Sequence, residues 1–380
     1  MNVKNYLEER SNLTDCILHN THTETDDMLN RTFNFVSANL LNFMPAIPVQ
    51  AHDGIFKNIL LHQKLSLLDH RYPEIIADAQ LEGCYEGALE LLKKQPVIIC
   101  TFHMGSNRLL NHFLAQHRIP YSLVLANHIG RDEGEKFCEL FDSCYKSGNG
   151  DGDGMDIIYA QKADAALKML RALKNGRSLL VYIDGNTGAG DDSIRNKNRC
   201  KIDFLGQSIY ARNGVCYISH LADVPIVPAV CYRKEIDDLR LRFSAPVYPD
   251  RTQDRKAYAA ETTRQMYGLL APLVREYPEQ WECWMYLHTI ADHSNFTISD
   301  SAPNPSQPAT STFQLNKSRF GFFNIGEEWY LFDKRTYDSY PVNEEVYRVL
   351  QKAATLPVQS DELNQQVFKQ LYEHSVFVSA

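Results

Sequence analysis

Apolar residues recur along this chain with two different periods. Through about residue 95 they come at helical spacing, as in Leu60, Leu61, Leu65, Leu67 and Leu68, and predict a mainly helical amino-terminal part. From Val97 to Val247, short runs rich in β-branched residues alternate with amphipathic stretches. The runs at 97–102, 121–126, 156–160, 178–183, 226–232 and 239–245 read as strands. Between them, 162–174 is the clearest helix. Ala163, Ala166, Leu167, Leu170 and Leu173 share one face, and Asn175-Gly176 ends it. A long helix over 255–276 carries Met266, Leu269, Leu270 and Leu273. Such alternation predicts an α/β fold, a mixed sheet flanked by helices.

The pattern breaks at Ser299. The stretch SDSAPNPSQPATS holds three prolines, no aromatic residue and no aliphatic larger than alanine. It cannot bury enough surface to offset its ordering entropy, so 299–312 reads as an extended linker. Beyond it, GEEWYLFD predicts a hairpin strand, 344–354 and 361–374 two short helices, and VFVSA a last strand. The expected organisation is therefore a domain over 1–298 (helical over 1–95), the linker, and a small winged-helix-like domain over 313–380.

Candidate chemistry gathers where the strand pattern stops. In VIICTFHMGSNRLL (97–110) an apolar run ends in His103, and Leu109, Leu110, Phe113 and Leu114 then recur at helical spacing. This places His103 at the carboxyl end of a buried strand, where open α/β sheets bind ligands. The following helix aims its positive end at the same place. A histidine there is either a general base or a hydrogen-bonded structural side chain. In SLLVYIDGNTGAGDD (178–192), Asp184 ends another strand and either faces the same crevice or caps its own turn. Arg195, Lys197, Arg199 and Lys201 cluster in the next loop, which is suited to the phosphates of coenzyme A or a carrier arm, or is simply a solvated loop. The run NGDGDG (149–154) lacks a calcium loop's closing glutamate, since that position falls on Ala160. There is no phosphate-binding G-x-x-x-x-G-K-[ST] and no G-x-S-x-G elbow, so nucleotide hydrolysis and serine esterase chemistry have no support.

Composition narrows the choice further. A net charge of −8 gives nucleic-acid binding no bulk electrostatic basis. The nine cysteines show no zinc spacing and read as reduced thiols of a cytoplasmic protein, with no metal or cofactor implied. The first residues have no secretion-signal pattern, and no apolar run is long enough to span a bilayer. Leu40 to Pro48 (LLNFMPAIP) is either core or a peripheral contact with the inner membrane.

Four segments, in order, resemble the bacterial lipid A late acyltransferases of the wider lysophospholipid acyltransferase group. They are TFHMGSN (101–107), VYIDGNTG (181–188), DFLGQSIYARNGVCYISHLADVPIVPAVCYR (203–233) and PEQWECWMYLH (278–288). The resemblance covers roughly residues 50 to 290. It implies acyl transfer from a carrier-protein or coenzyme A thioester to an amine or hydroxyl, with a small-molecule, lipid or peptide acceptor. It makes His103 the general base and puts Phe204 and Gly206 at the active-site wall. Gly105 and Asn107 would shape the turn and its donors, Asn186 would join the substrate site, and Arg108 and Arg212 would contact a polar or acidic part of the substrate. Trp281, Trp284 and His288 would close the domain nearby, chiefly by packing.

Two departures stand out. The family's motif carries an acid at the fifth position after the histidine, where this chain has Arg108. Either another carboxylate, with Asp184 the candidate, replaces it, or the acceptor differs, or the site is inactive. The amino-terminal membrane segment typical of the lipid A enzymes is also missing, which favours a soluble or delivered acceptor. The tail, FGFFNIGEEWYLFDKRTYDSYPVNEEVYRVL (320–350), resembles the peptide-binding winged-helix domains typified by the pyrroloquinoline quinone chaperone. That likeness implies a peptide or carrier protein bound along an open strand edge at 329–333. The rival expectation for the whole chain is a non-catalytic protein that holds an acyl chain or peptide.

Overall fold

The computed structural model describes residues 3–21, 26–126, 155–185, 198–296 and 311–380. They pack as two compact units, Met1–His19 with Asn58–Cys283, and Asn20–Lys57 with Trp284–Ala380.

The first unit is built on a mixed sheet. Among the described residues its strand order is β1 (Gln80–Gly83), β9 (Asp238–Phe243), β8 (Ile226–Glu235), β2 (Ile98–Thr101), β5 (Ser178–Tyr182), β3 (Tyr121–Leu125) and β4 (Met155–Tyr159). The five strands from β8 to β4 run parallel, β9 turns back against β8, and β1 runs parallel to β9. Helices flank the sheet: α1 (Val3–Asn20), the later turns of α3 (His52–Arg71), α4 (Tyr85–Lys94), α5 (Leu109–Gln116), α6 (Ala165–Lys174), α7 (Gly214–Ala222) and α8 (Arg255–Glu276). Every residue of β2 and β3 is buried, which explains why these strands read as continuous apolar runs rather than alternating ones. Val97, Ile99, Leu110, Phe113, Leu123, Leu180 and Val227 belong to one core cluster.

The six expected strands are present within three residues of their expected ends, and α8 spans the expected 255–276. Helix α6 starts at Ala165 rather than 162, because Ala165 N–H and Lys162 O first close a turn. Two elements had no counterpart in the sequence pattern. β1 is a short, mostly exposed edge strand inside the segment read as helical. The other is the hairpin β6 (Arg199–Phe204) and β7 (Gln207–Arg212), where β6 carries Lys201 and Asp203 on its exposed positions. NGDGDG, Arg195 and Lys197 lie outside the described residues.

The second unit joins α2 (Asp27–Phe43) to the carboxyl-terminal residues. β11 (Phe320–Ile325), β12 (Glu328–Asp333) and β13 (Ser339–Val342) form one antiparallel sheet. β10 (Thr312–Leu315) pairs with β14 (Val358–Gln359) and β15 (Phe377–Ser379) in another. Helices α9 (Glu344–Thr355) and α10 (Gln365–Glu373) complete it, close to the expected 344–354 and 361–374. Residues 360–362 form a separate 3₁₀ turn, which shortens the second of these helices. The asparagines of α2 explain the grouping. Asn30 and Asn34 donate to Phe322 O at 3.2 and 3.0 Å, and Asn42 donates to Lys334 O at 2.8 Å. Asn39 donates to Trp284 O at 2.6 Å and accepts from Tyr337 OH at 2.9 Å. Packing thus groups α2 with residues 284–380, whereas the sequence placed it in a domain over 1–298.

Candidate active site

Strand register brings the two leading residues together. In the parallel β2–β5 pair, Thr101 lies opposite Tyr182. Two residues further along each strand stand His103 and Asp184, on neighbouring strands that lie about 4.8 Å apart. The Nδ1 of His103 is 2.8 Å from Asp184 Oδ1. The backbone N–H of His103 donates to both carboxylate oxygens, at 3.1 and 2.9 Å, and Trp281 Nε1–H donates to Oδ2 at 2.9 Å. An ionised carboxylate only accepts, so Nδ1 carries the proton and Nε2 keeps its lone pair. Asp184 has no side-chain exposure, whereas His103 keeps 28% of its side chain accessible. The carboxylate is thus a fixed buried anchor and the imidazole the reachable end.

Electrostatics follow from this layout. Burial works against a charged imidazole at His103. The charge and hydrogen bond of Asp184, joined by the charge of Glu282, outweigh burial and the opposing charge of Arg108, so the pKa is raised above 6.5. The ring of Tyr182 lies 4.6 Å from that of His103, and its hydroxyl donates to Asn107 O at 3.1 Å.

The turn after His103 is held from below. Gly105 adopts φ +51, and a Cβ there would come within 2.8 Å of Tyr232 Cα and 3.0 Å of Cys231 O. Only glycine fits both the backbone angle and the close approach. Gly105 N–H donates to Gln280 O at 2.9 Å, and the Gln280 amide grips the backbone N–H and C=O of Arg233 at 2.8 and 2.6 Å. Ser106 donates to the buried carboxylate of Asp69. Arg233 Nη2 also reaches that carboxylate at 2.6 Å, and Tyr6 OH reaches it at 2.8 Å. None of Asp69, Arg233, Ser106 or Tyr6 emerged from sequence reasoning. Ser106 and Arg233 lay inside segments that carry the family resemblance without standing out there, and Asp69 showed only as a lone acid in the apolar stretch LSLLDH.

Asn107 is 1% exposed, and among the described residues its Nδ2 has no hydrogen-bond partner. The N–H groups of Leu109, Leu110 and Asn111 turn back to the carbonyls of Ser106, Asn107 and Arg108. Among the described residues, the N–H groups of Asn107 and Arg108 meet no acceptor, and the Arg108 guanidinium makes no ion pair or hydrogen bond. Arg108 sits partly buried at the start of α5, where the helix end is positive and a cation is unfavourable without an anion.

The hairpin brings one further residue, Phe204, to the site. Phe204 packs its ring 5.3 Å from Trp281 and 5.4 Å from Tyr267, beside the indole that holds Asp184. Leu205 and Gly206, at φ 52 and 84, make the two-residue turn next to it. Arg212 ends β7 opposite Arg199, about 17 Å along the strand from that turn at 3.4 Å per residue. Asn186 lies outside the described residues. Of the three expected closing residues, Trp281 contacts Asp184 directly. Trp284 and His288 belong to the second unit, where His288 stacks on Phe35 at 4.1 Å. Glu282, next to Trp281, is a residue the sequence reading passed over. Its N–H donates to His103 O at 3.0 Å, and its carboxylate accepts from Gln63 at 3.0 Å. Among the described residues no group of histidine, cysteine and acidic side chains is arranged to hold a metal ion, and no helix is long and apolar enough to cross a membrane.

Comparison with known proteins gives one family-model match. The model of the bacterial lipid A biosynthesis acyltransferases matches residues 152–289, a stretch that includes Asp184, Phe204, Trp281 and Glu282 but begins after His103. A search of curated proteins found no match. Among solved structures the chain is similar to the 1-acyl-sn-glycerophosphate acyltransferase PlsC from Thermotoga maritima, at 13% identity over 70% of this chain and 97% of that one, with a TM-score of 0.32. It is also similar to the pilus retraction motor PilT with bound ADP, at 11% identity over 58% and 65%, with a TM-score of 0.24. Both scores are low, and neither likeness bears on function.

Proposed function

We propose that this protein is an acyltransferase. It takes an acyl group from a carrier-protein or coenzyme A thioester and passes it to an amine or hydroxyl. The observation that carries this reading is the His103–Asp184 pair at adjacent strand ends, with Nε2 left free for a substrate proton. The family match over 152–289 supports the same reaction class. In the proposed reaction His103 removes the acceptor's proton as the acceptor attacks the thioester carbonyl. Negative charge then develops on the carbonyl oxygen, beside the N–H groups of Asn107 and Arg108. The C–S bond breaks, and the imidazolium returns its proton to the departing thiolate. Asp184 holds the ring and steadies its charged form.

Arg108 takes the place of the family's acid but a different role, contacting an anionic part of the substrate. Phe204 and Gly206 line the acyl side, with Asn186 assigned to the same substrate site. Arg212 is assigned, with Arg108, to a polar or acidic part of the substrate. Residues 313–380 are assigned to recruiting the acceptor or a carrier protein, with peripheral contact at the inner membrane as a second route of delivery. Single-turnover acyl transfer from a labelled thioester tests the reading, comparing the wild type with His103→Ala. A loss of about 10²–10⁴-fold in rate with an unchanged melting profile is expected. Equal turnover in the two proteins, or tight retention of the thioester without turnover, would favour the non-catalytic acyl-binding alternative.

A further inference from the structure

Two charged side chains, Arg108 and Glu282, stand on segments that adjoin His103. Arg108 follows Asn107, whose carbonyl is bonded to the Tyr182 hydroxyl above the His103 ring. Among the described residues its guanidinium has no partner. Glu282 adjoins His103 through the backbone, its N–H donating to His103 O at 3.0 Å. Its carboxylate is held by the neutral Gln63 amide and, among the described residues, meets no cation. Both are partly buried, so each charge is incompletely screened by water. Glu282 favours the charged form of the imidazole and Arg108 opposes it.

An acceptor carrying only an anion would meet Arg108 but be repelled by Glu282. A neutral alcohol would leave both unsatisfied. A molecule with one positive and one negative end answers both. We infer, on the basis of the acyl-transfer reading above, that the acceptor is a small amino carboxylate such as a free α-amino acid, with its carboxylate on Arg108 and its ammonium beside Glu282.

The reaction is then amide formation. The ammonium gives one proton to His103 Nε2, the freed amine attacks the thioester carbonyl, and a C–N bond forms as the C–S bond breaks. Two protons leave nitrogen in all. One passes through His103 to the thiolate, giving the free thiol, and the other goes to water. Arg108 serves as a bidentate carboxylate fork, the geometry for which arginine rather than lysine is suited.

The test offers the full-length protein octanoyl-coenzyme A with three separate acceptors. These are a pool of the twenty standard amino acids, a pool of the corresponding amino acid amides, and vesicles containing lysophosphatidylethanolamine. Products are read by mass spectrometry. The inference expects N-octanoyl amino acids in at least about tenfold excess over acylated amides, since a charged hydrogen-bonded contact is worth roughly that factor. Arg108→Gln should bring the ratio close to one, and Arg108→Lys should restore part of it. Glu282→Gln should raise the KM for the amino acid more than it lowers kcat. Equal acylation of amides, or preferred acylation of the lipid, would overturn the inference. Hydrolysis of octanoyl-coenzyme A without acceptor, compared between wild type and His103→Ala, separates the two levels. His103-dependent hydrolysis with no amino acid acylated overturns the inference alone, and no such hydrolysis overturns the acyl-transfer reading together with it.

Discussion

At the scale of single residues, the raised pKa of His103 sets the pH at which the base is ready. Only the neutral imidazole accepts a proton, so the acid limb of the rate profile should have its midpoint above 6.5. In Asp184→Asn the main group raising the pKa is gone, while burial and Arg108 still lower it. That limb should move to lower pH, and the maximal rate should fall by about 10²–10⁴-fold as the ring loses its fixed tautomer. A pH–rate profile of both proteins decides the matter, and an acid limb unmoved by the substitution would remove Asp184 from its role. A second residue-level expectation concerns the buried pair below the turn. Arg233 and Asp69 are 2% and 0% exposed and hydrogen-bonded to each other. Removing one partner strands a buried charge, at a cost of about 3–5 kcal/mol. Asp69→Leu should therefore lower the denaturant midpoint strongly, and adding Arg233→Met should recover part of the loss. Additive losses in the double variant would argue that the two are not coupled.

At the scale of elements, two glycines of the candidate site make opposite demands. Gly206 sits in a hairpin turn with open space where a side chain would project, so Gly206→Ala should cost only the left-handed backbone angle, about 1–2 kcal/mol. Gly105→Ala meets the same backbone penalty and a collision with Tyr232 and Cys231 as well. It should displace the turn that carries His103 and abolish transfer even where the protein still folds. Thermal unfolding alongside transfer rates distinguishes them, and a fully active Gly105→Ala would show that the turn tolerates movement. The same contrast explains what could be read from the residues in advance. Apolar strands such as β2 and β3, buried on both faces, declare themselves in sequence, as does a histidine that breaks such a run. The pairing of His103 with Asp184, 81 positions away, depends on β2 and β5 being neighbours in register. No local pattern specifies that adjacency, so Asp184 stood only as one candidate acid. The β6–β7 hairpin escaped because its exposed face is charged, and Asp69 because a buried ion pair has no periodicity. Asn30, Asn34, Asn39 and Asn42 looked like ordinary polar positions on α2, yet their hydrogen bonds determine which residues that helix packs with.

At the scale of the whole molecule, both units bury histidines that stay neutral in the fold. His52 in the second unit and His112 in the first are fully buried, and burial holds each pKa at about 4. His62 in the first unit, 8% exposed, is held at about 3 by burial and by the charge of Arg233. In the unfolded chain each returns to 6.5. A depressed pKa means stability is complete above 6.5 and lost as pH falls towards the folded value, because only the unfolded state takes up the proton in that window. At about 1.4 kcal/mol per pH unit, each of the three costs about 2 kcal/mol at pH 5, or about 6 kcal/mol together. His103 works the other way. Its raised pKa contributes stability below 6.5 that is lost as pH rises through the folded value, and one such group offsets only a fraction of the three. A loss of that size is comparable to the whole stability of many domains. Urea unfolding at pH 7.5 and pH 5 should therefore show the midpoint collapsing at the lower pH. His62→Gln should flatten part of the dependence, because glutamine keeps polar atoms in the same volume without titrating. His70 and His288, which burial holds at about 3 and about 4, contribute to the remainder. A midpoint independent of pH between 7.5 and 5 would mean that these imidazoles reach water or a carboxylate in solution, and that the interior around Arg233 is wetter than its burial implies.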